Sequence, residues 1–193
     1  IGARMDKNPE TESVLSRLGE SVNLIFNHAT QQKTLHSFQS EWLLVVNIIH
    51  IHRLMYLKEL AMQLPDDATI AQYADLQVPM GLLQIPVENA LLHGLGNKET
   101  APWQLSIDIQ QKELGIHISI TDNGIGRKKA VNLSNFTKHG TGTRNQNEII
   151  AIINAVNPHK ISVQYEDEIF DNRTEKFGTR VHLFIPYNLK YEN

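Results

Sequence analysis

Ile116-His117-Ile118-Ser119-Ile120-Thr121-Asp122-Asn123-Gly124-Ile125-Gly126-Arg127-Lys128-Lys129-Ala130 alternates in its first half and then breaks into glycine. Ile116, Ile118 and Ile120 fall on one side of an extended chain, and His117, Ser119 and Thr121 on the other. That period of two with β-branched residues predicts a half-buried strand. It stops at Asp122-Asn123-Gly124-Ile125-Gly126, which leaves a carboxylate at a strand end beside two glycines. Two readings stay open on these residues alone. Asp-Asn-Gly between apolar runs is a common hairpin turn. A strand-end carboxylate with no neighbouring Cβ can also accept a hydrogen bond from an exocyclic amine such as that of adenine.

Working outward, Trp103, Leu105, Ile107 and Ile109 alternate in the same way, so Trp103–Ile109 and the 116–121 strand read as a hairpin across Gln110–Gly115. Upstream lies Met80-Gly81-Leu82-Leu83-Gln84-Ile85-Pro86-Val87-Glu88-Asn89-Ala90-Leu91-Leu92-His93-Gly94. Its leucines and valine recur at helical spacing, with Gly94 as a C-cap. Pro86 removes an intrahelical hydrogen bond, so the helix starts near it or kinks there. Glu88 and Asn89 then sit early on the helix, with His93 four residues after Asn89 on the same face. Downstream, residues 124–142 show little periodicity and read as a long mobile loop, of a length that is usually functional. Arg144–Val156 follows as a helix with Ile149, Ile150, Ile152 and Ile153 buried. Ile161–Tyr165 and Thr179–Ile185 close the chain as strands. Leu60–Leu64 alternates weakly as one further strand, Pro65-Asp66-Asp67 is a turn, and the segment to Leu76 is ambiguous.

The first third is helical. Asn8-Pro9-Glu10 starts a helix that runs to about Thr30 on Val14, Leu15, Leu18, Val22, Ile25 and Phe26. A second runs from about Phe38 to Tyr56. Together they predict a helical hairpin whose apolar stripes suit a second copy, or cover the domain that follows. His28, His36, His50 and His52 lie here; His50 and His52 are two apart and share no helix face, so no chemistry is assigned to them.

Bulk properties close off several classes. The 193 residues suffice for one domain and an appended element. The absence of cysteine excludes disulfides and thiol nucleophiles. A net charge of −3 supplies no basic field for nucleic acid. The apolar run Trp42–Ile49 is too short and too polar to span a bilayer. Beginning with Ile1-Gly2-Ala3, the chain reads as a piece of a longer protein, with any membrane segments outside it.

Three polar signals stand in order: Glu88-Asn89 to Gly94 on a helix, Asp122 to Gly126 after a strand, and His139-Gly140-Thr141-Gly142 before a helix. An amide oxygen suits Mg²⁺, and a glycine loop entering a helix N-terminus suits phosphates. The set resembles the GHKL ATPase superfamily, which binds ATP in the Bergerat fold, and more narrowly the LytS-type sensor histidine kinases. Glu88, Asn89, His93 and Gly94 match that family's N box. Asp122, Gly124 and Gly126 match its first glycine box, Gly140 and Gly142 the second, and Gly178-Thr179 the final Gly-Thr pair.

The resemblance implies an α+β fold: a two-layer α/β sandwich with a mixed, mostly antiparallel sheet and helices on one face. A dimerising helical hairpin over 1–58 would precede an ATP-binding domain over 59–193. It implies that Asn89 holds Mg²⁺ against the triphosphate. Asp122 would take the adenine amine, supported by Thr179 through a water. His93 and the Gly124–Gly126 backbone would complete the nucleotide site. Lys138, His139, Gly140, Thr141 and Gly142 would line the phosphates in a lid, and Glu88 would polarise the attacking imidazole. The implied activity passes the γ-phosphoryl group to a histidine and then to a response regulator, in a homodimer forming the cytoplasmic part of an inner-membrane sensor. Departures from the pattern are specific. Asn23 and Met55 stand where the family carries arginine, Thr143 replaces a leucine and Ile149 another arginine. The N-box proline is displaced by one. The family's Pro-His-Phe-x-x-Asn acceptor motif does not occur, which places the acceptor upstream of Ile1 or marks a divergent member. A non-catalytic ATP-binding dimeric module is the alternative. An ATP-driven clamp of the same superfamily needs large further domains and disagrees with the short loop after Gly94.

Overall fold

The computed structural model describes residues 9–30, 34–56, 59–133, 141–171 and 176–191. Five strands form one mixed sheet in the order β2-β4-β5-β7-β6: β2 (Ala61–Gln63), β4 (Gln104–Lys112), β5 (Gly115–Asp122), β6 (Ser162–Asp171) and β7 (Lys176–Pro186). Only β2 and β4 run parallel; β4–β5, β5–β7 and β6–β7 are antiparallel. The alternation read around Ile116 is the pleat itself. Ile116, Ile118 and Ile120 are almost fully buried, and they join Leu105 and Ile107 of β4 and Val181, Leu183 and Ile185 of β7 on the core side. His117, Ser119 and Thr121 of β5 are only half-buried. The mixed, mostly antiparallel two-layer sandwich expected from the sequence is the fold observed.

The second layer is helical: α2 (Phe38–Met55), α4 (Gln84–Asn89) continuing as a π-helical turn (Ala90–Leu95), and α6 (Thr141–Val156). Phe38, Trp42, Val45 and Ile49 of α2, Val87, Leu91 and Leu95 of α4 and its π turn, and Ile150 and Ile153 of α6 share one core with the sheet. The expected boundary after residue 58 thus falls between α2 and β2, whose neighbours contribute to a single core. Before α2 lies a short strand β1 (Leu35–Ser37), which pairs antiparallel with β3 (Gln77–Pro79). Three-residue strands carry too little pattern to be legible in the sequence. Ser37 then caps α2, its Oγ accepting from the Ser40 N–H at 3.2 Å.

α1 (Pro9–Thr30) lies along α2 through a polar seam. Arg17 donates to Asn47 Oδ1 at 2.8 Å, and Ser13 Oγ meets His50 Nε2 at 3.1 Å. Asn47 is fully buried, while Leu15, Leu18, Val22 and Ile25 of α1 are exposed.

Several expectations are corrected. The ambiguous segment after Pro65 holds a helix, α3 (Asp67–Gln72), started by the Thr69 N–H donating to Asp66 Oδ1 at 2.8 Å. The stretch 124–142 is not loop throughout, because Arg127–Leu133 forms α5 and α6 opens at Thr141. Ile152 is 53% exposed rather than buried, since Ile150 and Ile153 take the core side of α6, with Ile149 half-buried against the same core. Gly94 does not cap its helix; it lies inside the π turn.

Candidate functional site

Asp122 ends β5 with only 5% of its surface exposed. The strand register pins it between Leu105 on β4 and Thr179 on β7. Its Oδ1 accepts the Gly124 N–H at 2.8 Å, which closes a tight turn and leaves Oδ2 as the oxygen for an incoming donor. Burial pushes the carboxyl up to about 7. The Gly124 amide and the Lys98 ammonium pull the other way, and Asp167 adds to the rise. Asn123, also buried, locks the turn to β4: its Oδ1 accepts the Gln104 N–H at 2.8 Å and its Nδ2 donates to the Pro102 carbonyl at 3.0 Å.

The wall beside this carboxyl is backbone. A Cβ on Gly124 would sit 2.2 Å from the Gly94 carbonyl carbon, and one on Gly94 would sit 2.7 Å from Asp122 Oδ1. The helix and the strand-end turn approach this closely only because neither carries a side chain there. The Ile125 N–H donates to the Gly94 carbonyl at 3.1 Å, and the Gly178 N–H to the Gly124 carbonyl at 2.9 Å. Gly178 has φ +80°, with the Asp122 carbonyl oxygen 2.7 Å from where its Cβ would be. Gly94, Asp122, Gly124 and Gly178, from three separate parts of the chain, thus form one contact, with Thr179 buried alongside.

The helix reaches this contact through its change of winding. After Asn89 it hydrogen-bonds i→i+5, as in the Gly96 N–H to Leu91 carbonyl bond at 2.8 Å. That wider turn carries Gly94 onto Asp122 and Gly124. Asn89 and Glu88 are half-buried at the end of α4, and His93 is exposed where Gly94 is buried. Pro86 sits in the first turn of α4, where its missing N–H removes nothing.

Gly142, half a turn into α6, faces Ile85 of α4, whose Cδ1 would lie 3.8 Å from a Cβ there. The second glycine box therefore meets the N-box helix. Thr141 opens α6. Lys138, His139 and Gly140 lie outside the described residues, and Gly126, with φ +80°, turns the chain into α5.

Sequence reasoning missed three groups here. Lys98 donates to the Pro102 carbonyl at 2.7 Å and lies 5.5 Å from the centre of the Phe177 ring. Phe177 stacks on Phe170 beside Gly178. Glu41 of α2 reaches the start of α4. A lysine shortly after the N box and aromatic residues flanking Gly178 were the only local signals, and neither is distinctive. A nucleotide fits the donor set. A recessed acceptor oxygen stands over bare backbone, and the half-buried Asn89 amide supplies an oxygen ligand of the kind Mg²⁺ takes.

No family model matches the chain. In sequence it is similar to the sensor protein LytS of Oceanobacillus iheyensis, with 27% identity over 141 residues, or 70% of this chain. That match spans 24% of the relative's length. In fold it is similar to the histidine kinase domain of the blue-light activated histidine kinase from Erythrobacter litoralis. The TM-score is 0.53 at 16% identity, covering 90% of this chain and 75% of that one. The resemblance read from the ordered boxes therefore stands: LytS-type sensor kinase C-terminal region in sequence, histidine kinase domain architecture in fold. Among the described residues no helix is long and apolar enough to cross a membrane.

Proposed function

We propose that this chain is the ATP-binding catalytic region of a two-component sensor histidine kinase, serving transfer of the ATP γ-phosphoryl group to a histidine and on to a response regulator. The observation that carries the reading is the buried Asp122 carboxyl, held by the Gly124 amide against the backbone of the helix that bears Asn89.

Asp122 Oδ2 accepts the adenine amine, and Thr179, its cross-strand partner, supports the same edge of the base through a water. Bare backbone at Gly94, Gly124 and Gly178 lets the helix, the strand-end turn and β7 close around that carboxyl and hold it for the base. Asn89 would hold Mg²⁺, which would supply charge neutralisation at the phosphates. Glu88, one residue away, orients the accepting imidazole. By the resemblance, Gly140–Gly142 would offer amides to the phosphates and Lys138 and His139 would line them; of these, Thr141 and Gly142 at the start of α6 lie among the described residues. Transfer in such a site needs mainly positioning and charge neutralisation. The outward apolar residues of α1, Leu15, Leu18, Val22 and Ile25, support pairing with a second copy.

Calorimetric titration with ATP and GTP, with and without Mg²⁺, tests the nucleotide site. ATP binding that needs Asp122 and strengthens with Mg²⁺ only when Asn89 is present is expected. Equal affinity for both nucleotides in wild type and Asp122→Asn removes the assignment. Phosphotransfer is tested on the full-length protein with its own regulator. Protein that binds ATP yet never becomes labelled favours the second reading, a nucleotide-sensing dimeric module, which the exposed Met55 at the family's arginine position motivates.

A further inference from the structure

Outside the glycine contact, a buried polar cluster ties α2 to the start of the N-box helix. Glu41 is 0% exposed. Its Oε1 accepts the Leu83 N–H at 2.8 Å and the Gln84 N–H at 2.9 Å, and its Oε2 accepts the Gly81 N–H at 3.0 Å. His36 Nε2 stands 2.7 Å from that same Oε2. On its other side the turn is gripped by α6. Gln146, also buried, donates from Nε2 to the Gly81 carbonyl at 2.7 Å and the Leu82 carbonyl at 3.3 Å. Residues 81–84 therefore present amides to one helix and carbonyls to another.

A helix start leaves N–H groups without intrahelical partners. α4 has no cap of its own: Leu83 at the cap position is in the right-handed helical region and offers no side-chain acceptor. A carboxylate from another helix takes its place, and the positive end of the helix favours that charge. At its other end the same helix is fixed by Gly94 against Asp122 and Gly124. Asn89 and Glu88 lie between these two anchors, five and four residues beyond Gln84. At 1.5 Å per residue that is about 6–8 Å from the Glu41 grip.

We propose that Glu41, with Gln146 opposite, is a positioning residue for the Mg²⁺ half of the nucleotide site, setting the place of Asn89 through the 81–84 turn while Asp122 sets the base independently. The proposal rests on the nucleotide reading above. It assigns α2 a direct hold on the metal-bearing helix, so that a displacement of α2 reaches Asn89 without passing through the sheet.

The test is ATP affinity with and without Mg²⁺ for wild type, Glu41→Gln and Gln146→Ala, each checked for a native near-UV spectrum. Glu41→Gln keeps the shape but sets an NH₂ group against amide donors. Gln146→Ala releases the carbonyls and keeps the proposal testable should Glu41→Gln not fold. Expected is about a tenfold loss of Mg²⁺-ATP affinity, the low end of what losing a group that orients a metal ligand costs, with Mg²⁺-free affinity within about twofold of wild type. Equal losses with and without Mg²⁺, or a lower melting temperature with both affinities intact, overturns it and leaves Glu41 a purely structural cap. Asp122→Asn runs as the control for the underlying reading. If it alone fails to reduce binding, the nucleotide site is misassigned, which is a different result from failure of the Glu41 variant.

Discussion

Asp122→Asn should make the unliganded protein more stable while making it a poorer nucleotide binder. The carboxyl is almost fully buried and pushed up to about 7 from an ordinary 3.8. At 1.36 kcal/mol per pKa unit, holding it ionised at pH 8 works against folding by about 4 kcal/mol. Asparagine removes that charge and keeps an oxygen for the Gly124 N–H. Its NH₂ group, however, enters a site with no matching acceptor, which costs about 1–3 kcal/mol. The net expectation is a gain of about 1–3 kcal/mol at pH 8, or a rise of several degrees in Tm, at about 2–4 °C per kcal/mol for a chain of this size.

The sign follows from proton linkage. Between 3.8 and about 7 the folded state holds a proton that the unfolded state has released, so wild-type stability falls as pH rises through this window. The advantage of asparagine is therefore full above pH 7, and by about pH 5, where the charge penalty has fallen to about 1.6 kcal/mol, it is gone or reversed. Loss of one charge-assisted hydrogen bond should weaken ATP binding by about 1.5–3 kcal/mol. Thermal melts at pH 8 and pH 5, paired with calorimetry at pH 8, read both effects. A variant that melts lower than wild type at pH 8, or whose advantage is the same at both pH values, refutes the claim that Asp122 is a buried ionised group held for its ligand.

Other outcomes follow from the same packing. Gly124→Ala forces a Cβ to within 2.2 Å of the Gly94 backbone, where no flexible side chain can yield; it should cost more than about 3 kcal/mol in urea unfolding. Gly94→Ala meets a side-chain oxygen at 2.7 Å instead, so it should displace the Asp122 carboxyl and abolish ATP binding at a smaller loss of stability. Ser37→Ala removes the α2 cap and should cost about 1 kcal/mol, with ATP affinity unchanged in the same preparation. His117 is held below its ordinary 6.5, first by burial and then by His182 and Lys112. The unfolded state thus takes up a proton before the folded one, and stability present above 6.5 is lost as pH falls toward the lowered value. In the Asp122→Asn background, His117→Gln should flatten that acid-side loss in Tm.

The amino-acid sequence by itself determined whatever local repetition encodes. The alternation at Ile116–Ile120 placed β5 and told its faces apart, and apolar spacing placed α1 and α2. The order of Glu88-Asn89, Asp122-Asn123-Gly124 and the closing Gly178-Thr179 carried the resemblance to a nucleotide-binding family. Tertiary structure alone decided which of these meet and in what surroundings. That Asp122 is dry, and so titrates near neutrality, depends on Gly94 and Gly178 arriving from other elements. That Glu41 holds α4 depends on a partner some 40 residues away, and Gln146 reaches the same turn from 65 residues away on the other side. Periodicity reports the face a residue turns inward, not the group waiting there. Burial and hydrogen-bond partners arise only when the chain closes, which is why the π turn at Ala90–Leu95 and the β1–β3 pair had no legible precursor.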